Sequence, residues 1–380
     1  MAEQAKVPAI RFAGFTDPWE QRKLGELALT YSGGTPSAGN SAYYGGEIPF
    51  IRSAEIDCDS TELSLTVAGL NNSSAKLVDK GMVLYAMYGA TSGEVAISKI
   101  KGAINQAILA MDASDMAANR FIAYWLRRQK KSITETFLQG GQGNLSGAII
   151  KELGIPQPSL DEQRQIGSFF SNLDDLITLH QRKYDKLVVF KKSMLEKMFP
   201  KDGESVPEIR FAGFTDPWEQ RKFSDIVNVC SGKDYKHLEE GPIPVYGTGG
   251  FMTSVDEALS YDRDAVGIGR KGTLDKPYLL KAPFWTVDTL FYAIPKSDMD
   301  LEFVHCSFLN VDWKSKDEST GLPSLSKEAI NETIALVPSF NEQSRLGDFF
   351  YNLDNLITLH QRKLELLQNI KKSLLDKMFV

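Results

Sequence analysis

Few residues in this sequence have the types and spacing that covalent chemistry requires. The segment Gly267 to Gly272 has the GxGxxG spacing of a dinucleotide-binding loop, but Asp275 and Pro277 follow it where a helix would have to begin. Residues 17–19, repeated at 216–218, read Asp-Pro-Trp and only partly match the acidic motif with which amino-methylating enzymes hold an amine. We interpret the first segment as a loop and the second as a packed turn with its tryptophan in the core.

Metal-ligating and nucleophilic residues are also scattered. Cys58, Cys230 and Cys306 are far apart and odd in number, which argues against a disulfide framework or a structural zinc site. No phosphate-binding loop, zinc-protease motif or nucleophile elbow occurs. We therefore find no catalytic constellation and predict no catalytic residues, no metal site and no cofactor bound by this chain.

The residues best suited to binding lie in loops rich in Gly, Ser, Thr and Asn. Such loops offer backbone N–H groups, hydroxyls, amides and flat rings, which suit contact with phosphates and base edges. The same composition also fits ordinary surface hairpins, so both interpretations stay open at this point. These loops cover residues 31–36, 88–93, 139–144, 246–250 and 269–273.

The amino-acid composition indicates the class of protein that carries these loops. With 380 residues, 42% of them apolar and 24% charged, the chain has the balance of a soluble globular protein of two or more domains. Its apolar runs are too short for a membrane span and Met1–Gln4 does not open a signal peptide, so we expect a cytoplasmic protein with no membrane partner. The net charge of −6 counts against a strong binder of nucleic acid acting alone.

An internal repeat organises the chain. Residues 10–23 recur unchanged as 209–222, and residues 158–199 match 338–379 at 26 of 42 positions. The blocks between them, 24–157 and 223–337, barely resemble each other. This order predicts a two-fold scaffold that carries two different heads.

The long repeated segments have the heptad spacing of a coiled coil. We expect helices from about residue 162 to 199 and from 342 to 379, capped by Asp161 and Asn341, each roughly 57 Å long at ~1.5 Å per residue. A two-fold axis would make them antiparallel, with one head at each end. The predicted seam comprises Ile166, Phe170, Leu173, Ile177, His180, Leu187, Leu346, Phe350, Leu353, Ile357, His360 and Leu367.

Polar residues also fall in this seam. His180 and His360 are expected to meet at the helix crossing as core histidines that fix the register. Lys191 and Lys371 are expected to lay their stems on apolar neighbours and to send their amines to water.

Each head combines short strands with one helix, which predicts an α+β fold. In the first head we expect strands at 47–52, 82–87 and 103–111 and a helix at 120–131. In the second we expect strands at 243–246, 265–268 and 284–294 and a helix at 299–310. With the repeats, the predicted domains are 1–157 and 201–337 for tag plus head, and 158–200 and 338–380 for the spacer helices.

The layout resembles that of the specificity subunit of type I restriction-modification systems. The resemblance covers nearly the whole chain and is carried by the tags at 11–20 and 210–219, by the head exits at 143–163 and 321–343, and by the doubled order of head and helix. In that family each head is a target recognition domain for one half of a split DNA sequence, and the antiparallel helices set the gap.

The resemblance implies double-stranded DNA as a ligand and two kinds of protein partner. Two modification subunits would methylate adenine at N6 with S-adenosylmethionine, and two restriction subunits would translocate and cleave DNA with ATP and Mg²⁺. Neither head has an excess of basic residues: the first has 11 basic and 12 acidic residues, and the second has 11 basic and 18 acidic residues. We therefore expect the partners to supply much of the positive field.

Within this interpretation, loop residues with hydrogen-bonding side chains are the predicted DNA contacts. They are Thr35, Arg52, Tyr88, Thr91, Gln106, Gln142 and Asn144 in the first head, and Lys233, Tyr246, Thr248, Arg270, Lys271 and Thr273 in the second. Two other functions stay open: a stand-alone adenine DNA methyltransferase, against which the absent cofactor loop speaks, and a scaffold whose heads bind proteins.

Overall fold

The fold is given by a computed structural model that describes residues 7–138, 145–201, 203–317, 319 and 321–380. The chain divides into two compact units, one formed by Met1–His180 with Lys363–Val380 and the other by Gln181–Arg362. Each unit therefore contains one variable block and a part of both long helices. Within the described residues, no helix combines the length and the apolarity needed to cross a membrane.

The first unit is built from short strands around one long helix of the head. Its strands are β1 Glu20–Lys23, β2 Leu29–Ser32, β3 Tyr44–Ile51, β4 Ser64–Leu65, β5 Lys76–Val78, β6 Val83–Ala86, β7 Val95–Ile97, β8 Gly102–Ile104, β9 Ile108–Asp112 and β10 Gly154–Gln157. Its helices are α1 Leu24–Leu27, α2 Val67–Asn71, α3 Met116–Leu138, α4 Gly147–Lys151 and the first part of α5 Leu160–Met198.

Two four-stranded sheets form the body of the first head. One has the order β2-β9-β6-β7 and the other the order β4-β3-β8-β5. Strand β6 is buried at all four positions, because helix α3 covers one side through Phe121 and Trp125, while Ile51 and Ile104 pack in a second apolar cluster on the other.

The second unit repeats this construction. Its strands are β11 Glu219–Lys222, β12 Val227–Ser231, β13 Ile243–Gly247, β14 Gly250–Val255, β15 Ala265–Gly269, β16 Tyr278–Leu280, β17 Trp285–Thr286, β18 Leu290–Pro295 and β19 Ile334–Val337. Its helices are α6 Phe223–Ile226, α7 Leu301–Leu309, α8 Lys327–Glu332 and most of α9 Phe340–Met378.

The two heads share one sheet plan although their sequences differ. The order β12-β18-β15-β16 in the second head matches β2-β9-β6-β7 in the first, and β14-β13-β17 matches β4-β3-β8. Each head also contains one short parallel pair, between β3 and β8 in the first and between β13 and β17 in the second. The α+β prediction is confirmed, and the shared plan lets positions in one head be compared with positions in the other.

Two predicted strands are interrupted. The predicted strand at 103–111 divides into β8 and β9, because the Asn105 side chain accepts a hydrogen bond from the Ala107 N–H at 3.1 Å and forms a turn. The predicted strand at 284–294 divides into β17 and β18, where the Leu290 N–H donates to the Val287 carbonyl at 3.0 Å. Both turns fall at the same place in the sheet plan.

The identical tags are packed into their units. Strand β1 of the first tag pairs antiparallel with β10 at the exit of the first head, and β11 pairs with β19 in the same way in the second. The two tag tryptophans, Trp19 and Trp218, are 2% and 3% exposed, which confirms the predicted packed turns. Each tag therefore ties the entry of its head to the exit.

Helices α5 and α9 pack antiparallel within each unit. In the first unit Phe170, early in α5, lies 6.0 Å from Phe379 at the end of α9, measured between ring centroids. In the second unit Phe199, after the end of α5, lies 6.4 Å from Phe350, early in α9. The predicted seam residues are buried or half-buried, including His180 and His360, which are both half-buried.

Two details of the helices differ from the predictions. The helices begin at Leu160 and Phe340, so the predicted caps Asp161 and Asn341 both lie inside them. The cap of the first helix is Ser159, whose hydroxyl accepts a hydrogen bond from the Glu162 N–H at 3.4 Å. The expectation that the seam lysine amines face water is wrong, since Lys191 and Lys371 pair with carboxylates of the opposite helix. A heptad pattern locates these lysines but does not show which side chain lies across from them.

Candidate nucleic-acid interface

Three chain segments of the second head meet at the end of strand β15. The Arg270 N–H donates to the Thr289 carbonyl at 2.8 Å, and the Arg270 carbonyl accepts from the Leu325 N–H at 2.9 Å. The Gly272 N–H donates to the Pro323 carbonyl at 2.8 Å. These backbone bonds fix the loop that carries Arg270, Lys271 and Thr273 against the exit of the head.

The β13–β14 hairpin lies against the same loop. A Cβ atom on Gly269 would lie 3.3 Å from the Thr248 methyl group in the hairpin turn. The Tyr278 hydroxyl donates to the Gly247 carbonyl at 2.6 Å, and burial raises the pKa of Tyr278, so this donor keeps its proton. The predicted residues Tyr246 and Thr248 are thereby brought next to Arg270 and Lys271.

Lys233 is held beside these loops by its backbone. The Lys233 N–H donates to the Thr286 carbonyl at 2.9 Å, and the Lys233 carbonyl accepts from the Trp285 indole N–H at 2.9 Å. Thr286 pairs with Tyr246 in the sheet register. The Lys233 side chain is exposed, and in the part of the chain that the structure describes neither Lys233 nor Lys271 forms an ion pair.

The contacts of the Arg270 guanidinium within the protein orient it but do not neutralise its charge. Its guanidinium donates to the Asp288 carbonyl at 3.3 Å and lies 5.7 Å from the centre of the Phe291 ring. A carbonyl and a ring face orient a cation without neutralising it. Arg270, Lys233 and Lys271 therefore place three cations at this edge of an acidic head.

The first head has the same arrangement at the end of strand β6. The Met87 N–H donates to the Ala107 carbonyl at 2.8 Å, and the Met87 carbonyl accepts from the Leu145 N–H at 3.1 Å. These are the bonds that Arg270 forms in the second head, so Met87 and Arg270 occupy equivalent positions. Tyr88, which follows Met87, is equivalent to Lys271.

Four predicted contacts of the first head gather at this end. The Thr35 hydroxyl donates to the Gln106 side-chain oxygen at 2.6 Å, and both side chains are exposed. Tyr88 and Thr91 are half-buried on the loop after β6, where the Thr91 hydroxyl lies 3.5 Å from the Tyr88 carbonyl. Two further predicted contacts of the first head, Gln142 and Asn144, lie outside the described residues.

Arg52 differs from the other predicted contacts because its charge is satisfied internally. Its guanidinium donates to Glu55 at 2.9 and 3.1 Å and to Glu62 at 2.6 Å. The hydrogen bonds from Arg52 lower the pKa of Glu55, so this carboxylate stays ionised and keeps the pair intact. Arg52 thus braces the loop that follows β3.

A glycine directly after β2 in the first head, and another directly after β12 in the second, allow this arrangement. A Cβ atom on Gly33 would lie 1.8 Å from the Ile104 carbonyl oxygen, and one on Gly232 would lie 2.0 Å from the Val287 carbonyl oxygen. No side chain fits at such distances. Both glycines thus let the chain after β2 and β12 pass close to the turn that precedes β9 and β18.

Two exposed apolar residues of this surface, Phe251 and Met252, were not predicted as contacts. They follow the two-residue turn Thr248-Gly249 in the β13–β14 hairpin. The sequence signal was present, because a short Gly-containing turn between strand-like runs marks a hairpin tip. Phe251 and Met252 have no hydrogen-bonding group and therefore differ in type from the predicted contacts.

Two alternatives, a metal cluster and a dinucleotide-binding loop, find no support among the described residues of this surface. The described residues contain no group of three or more histidine, cysteine or carboxylate side chains that could hold a metal. Gly267 and Gly269 lie in strand β15, which pairs antiparallel with β18 rather than leading into a helix. The surface can donate and accept hydrogen bonds and bind anions.

Comparison with known proteins identifies the family. The family model described as type I restriction modification DNA specificity domain matches residues 16–188 and 215–369. The chain is 22% identical over 400 residues to the type I restriction enzyme MjaVIII specificity subunit of Methanocaldococcus jannaschii, covering 95% of this chain and 92% of the relative. It is 25% identical over 187 residues to the EcoR124I/EcoR124II specificity subunit of Escherichia coli, covering 44% of this chain and 46% of that subunit.

A solved structure supports the fold. The crystal structure of the type I restriction-modification system S subunit from M. genitalium superposes with a TM-score of 0.67 at 20% identity, covering 98% of this chain and 99% of that one. These matches favour neither a stand-alone methyltransferase nor a protein-binding scaffold. The chain therefore belongs to the type I restriction modification DNA specificity family, whose members select the DNA sequence and are not themselves catalytic.

Proposed function

We propose that this chain reads a bipartite, non-palindromic DNA site, with one half contacted by each head. The observation that carries the proposal is the equivalence of the two loop clusters. Met87 and Arg270 make the same backbone bonds at the same place in the sheet plan, yet they are followed by different side chains, Tyr88 and Lys271. One scaffold that presents two unlike sets of side chains fits two unlike half-sites.

The chemistry of each cluster agrees with base reading. Thr35, Gln106 and Tyr88 in the first head offer a hydroxyl, an amide and a phenol, whereas Lys233 and Lys271 in the second offer unpaired cations. Amide side chains suit adenine and cationic ones suit guanine or phosphate. We propose all of these residues as contacts together with Thr91, Gln142, Asn144, Tyr246, Thr248, Arg270 and Thr273, and we assign Arg52 an indirect role through its loop.

The long helices are proposed to set the gap between the half-sites and to dock two modification subunits. The repeated segments give each unit the same exposed apolar pair, Leu176 with Leu179 in one and Leu356 with Leu359 in the other, each 46% exposed. Equivalent surfaces fit two copies of one partner. Restriction subunits would join through this complex.

Catalysis and cofactors belong to the partners in this proposal. S-adenosylmethionine for adenine N6 methylation, and ATP with Mg²⁺ for translocation and cleavage, would be bound by modification and restriction subunits. Each head lacks a basic surplus, so the chain alone is expected to bind DNA weakly and the assembled complex much more tightly.

Head exchange tests the reading role. Residues 24–157 are replaced by the first head of another family member, the complex is assembled with its modification subunits, and methylated adenines are mapped genome-wide. We expect one half-site to change while the other half and the gap stay the same. An unchanged methylated sequence would contradict the assignment of reading to this head.

A matched duplication tests the spacer role. One heptad is duplicated in each long helix, residues 181–187 in α5 and 358–364 in α9, where the boundary between the units crosses the helices. We expect the gap to lengthen while both half-sites are kept. Duplication in α5 alone is the control: it keeps the heptad phase but makes α5 one heptad longer than α9, so the matched pairing of the two helices is lost and assembly is expected to be impaired.

A further inference from the structure

The tip of the β13–β14 hairpin exposes two large apolar side chains to solvent. Phe251 is 64% exposed and Met252 is 52% exposed, and only Gly250 separates them from the turn Thr248-Gly249. Adjacent exposed side chains of this size mark a binding surface more often than isolated ones do. We therefore expect these two side chains to bind a ligand that has apolar groups.

The strand pairing presents both side chains at the tip. Tyr246 pairs with Phe251 and Val245 pairs with Thr253, so Met252 is the extra residue of a β-bulge. Bulges re-aim side chains and are common beside functional sites. Here the bulge leaves two successive residues exposed, whereas regular alternation would turn one of them toward the core.

Side-chain contacts hold the end of β13 next to the turn. The Tyr278 hydroxyl binds the Gly247 carbonyl, and the Tyr246 ring lies 6.3 Å from the Phe251 ring and 6.2 Å from the Tyr278 ring, measured between centroids. The exposed tip is therefore ordered before it binds, which reduces the entropy lost on binding.

The tip is continuous with the cationic part of the proposed DNA surface. Thr248 packs against Gly269, the last residue of β15, and Arg270 and Lys271 follow in the loop after that strand. A two-stranded ribbon fits the major groove, where the only apolar group on the base edges is the C5-methyl of thymine, and phenylalanine contacts that methyl well. Unpaired cations beside an apolar tip favour DNA over an apolar protein partner.

The first head has no such tip at the equivalent strand. Strand β3 is followed by Arg52, which is tied to Glu55 and Glu62, and β4 begins only at Ser64. The feature therefore distinguishes the two heads, and its effect is expected in only one half-site.

We propose that the β13–β14 hairpin enters the major groove of the half-site read by the second head and that Phe251 and Met252 contact thymine methyl groups there. The inference rests on the proposed function and deepens it, because it assigns a methyl-reading element to one head.

Uracil substitution tests the contact directly. Deoxyuridine lacks the thymine methyl but keeps its hydrogen-bonding groups. The complex of the full chain with its modification subunits is titrated with duplexes in which each thymine of the half-site is replaced singly by deoxyuridine. Because a methylated adenine pairs with thymine, every half-site offers at least one position.

We expect one or two substitutions to weaken binding by the wild-type complex about fourfold each, the value for one buried methyl group. Phe251→Ala or Met252→Ala should weaken binding to thymine DNA about fivefold and abolish the difference between thymine and uracil at those positions. Tyr261→Ala is the matched control, since Tyr261 is also 64% exposed but lies outside the hairpin, and it should keep the difference. All three side chains are exposed, so unchanged melting temperatures should confirm folding.

The inference would be overturned if both hairpin variants kept the wild-type difference between thymine and uracil at every position, or if the wild-type complex showed none. A Phe251-dependent rise in the fluorescence of 2-aminopurine placed in the half-site would also overturn it, since it would indicate insertion between base pairs.

Head exchange distinguishes a failure of this inference from a failure of the proposed function. If exchange of 223–337 changes the half-site of the second head, but Phe251→Ala and Met252→Ala keep the wild-type difference in binding between thymine and uracil duplexes, only the present inference fails. If exchange of 223–337 leaves both half-sites unchanged, the proposed reading function itself fails.

Discussion

Lys191 donates to both carboxylate oxygens of Asp354, at 2.6 and 2.8 Å, across the helix pair of the second unit. The same pair occurs in the first unit, where Lys371 lies 2.5 Å from Asp174. The two lysines are 180 residues apart, as are the two aspartates, which is the offset of the repeated segments. Each unit therefore contains a lysine in its helix seam whose charge is neutralised by an aspartate of the opposite helix.

Replacing Lys191 by methionine should destabilise the second unit by about 1–2 kcal/mol. The stem of the new side chain would still fill the seam, but Asp354 would lose its partner while its side chain is only 38% exposed. Urea unfolding of the full chain measures this cost.

The charge exchange Lys191→Asp with Asp354→Lys is the complementary variant and should recover most of the stability. Lys192→Met is the control, because Lys192 is 81% exposed and lies 4.0 Å from Glu196 on its own helix. A loss in the control as large as in Lys191→Met would contradict a role for the cross-helix pair.

Arg11→Met should cost about 3–5 kcal/mol, since it leaves a buried carboxylate unpaired. Arg11 donates to both oxygens of Glu162, at 2.6 and 2.7 Å, and the Glu162 side chain is fully buried. Only the Trp19 indole N–H, at 3.2 Å, would remain as a donor among the side-chain bonds described. Thermal unfolding and proteolysis of the tag would report the loss.

Arg11→Lys should rescue only part of this stability, because an ammonium cannot form the two-pronged bond. Arg22→Met is the control: Arg22 is 46% exposed and lies 3.7 Å from Glu26, so its loss should cost less than about 0.5 kcal/mol. Equal effects of Arg11→Met and Arg22→Met would show that the buried pair does not anchor the tag.

His305 should make the second unit less stable in mild acid. Burial lowers the pKa of His305, whose Nε2 lies 3.2 Å from the Pro277 carbonyl, with Lys191 and Asp354 as the charged groups that act on it. The unfolded chain gains a proton near pH 6.5, whereas the folded imidazole gains one only at lower pH. Stability is therefore complete above about pH 6.5 and falls below it, by at most about 1.4 kcal/mol per pH unit.

The comparison of wild type with His305→Gln isolates this contribution. Urea unfolding at pH 7.5, 6.5 and 5.5 should give curves for the two proteins that converge as the pH falls, since the glutamine does not titrate. A constant difference between them at all three pH values would contradict the burial effect.

The sequence predicted the scaffold well because its signals are periodic and repeated. The heptad spacing located both long helices to within two residues, and the exact repetition of residues 10–23 identified the tags. The buried pair of Arg11 with Glu162 was missed, because Glu162 was interpreted only as the first residue of a helix capped by Asp161. Only the fold brings the tag to that carboxylate.

The candidate site was less predictable. Most of the predicted loop residues within the described chain do gather at one end of each head, because Gly-rich polar loops follow consecutive strands of one sheet. The internal pairing of Arg52 depends on Glu62, ten residues away, and the equivalence of Met87 with Arg270 depends on backbone bonds. Neither relation leaves a pattern in side-chain types.

Substitution of the repeated leucines should change how many modification subunits bind. If Leu176 and Leu179 form one docking surface and Leu356 and Leu359 form the other, replacing either pair by serine should leave one subunit bound in place of two. Replacing both pairs should leave none. Native mass spectrometry of the assembled complex measures this stoichiometry.

The first helix also offers a matched control. Val189 is 68% exposed, but the residue 180 positions later is Asn369, so this apolar site is not repeated. Val189→Ser should therefore leave both partners bound. If Leu176→Ser with Leu179→Ser still bound two subunits, the docking surface would have to lie elsewhere on the repeated segments, because two copies of one partner require a surface that occurs twice.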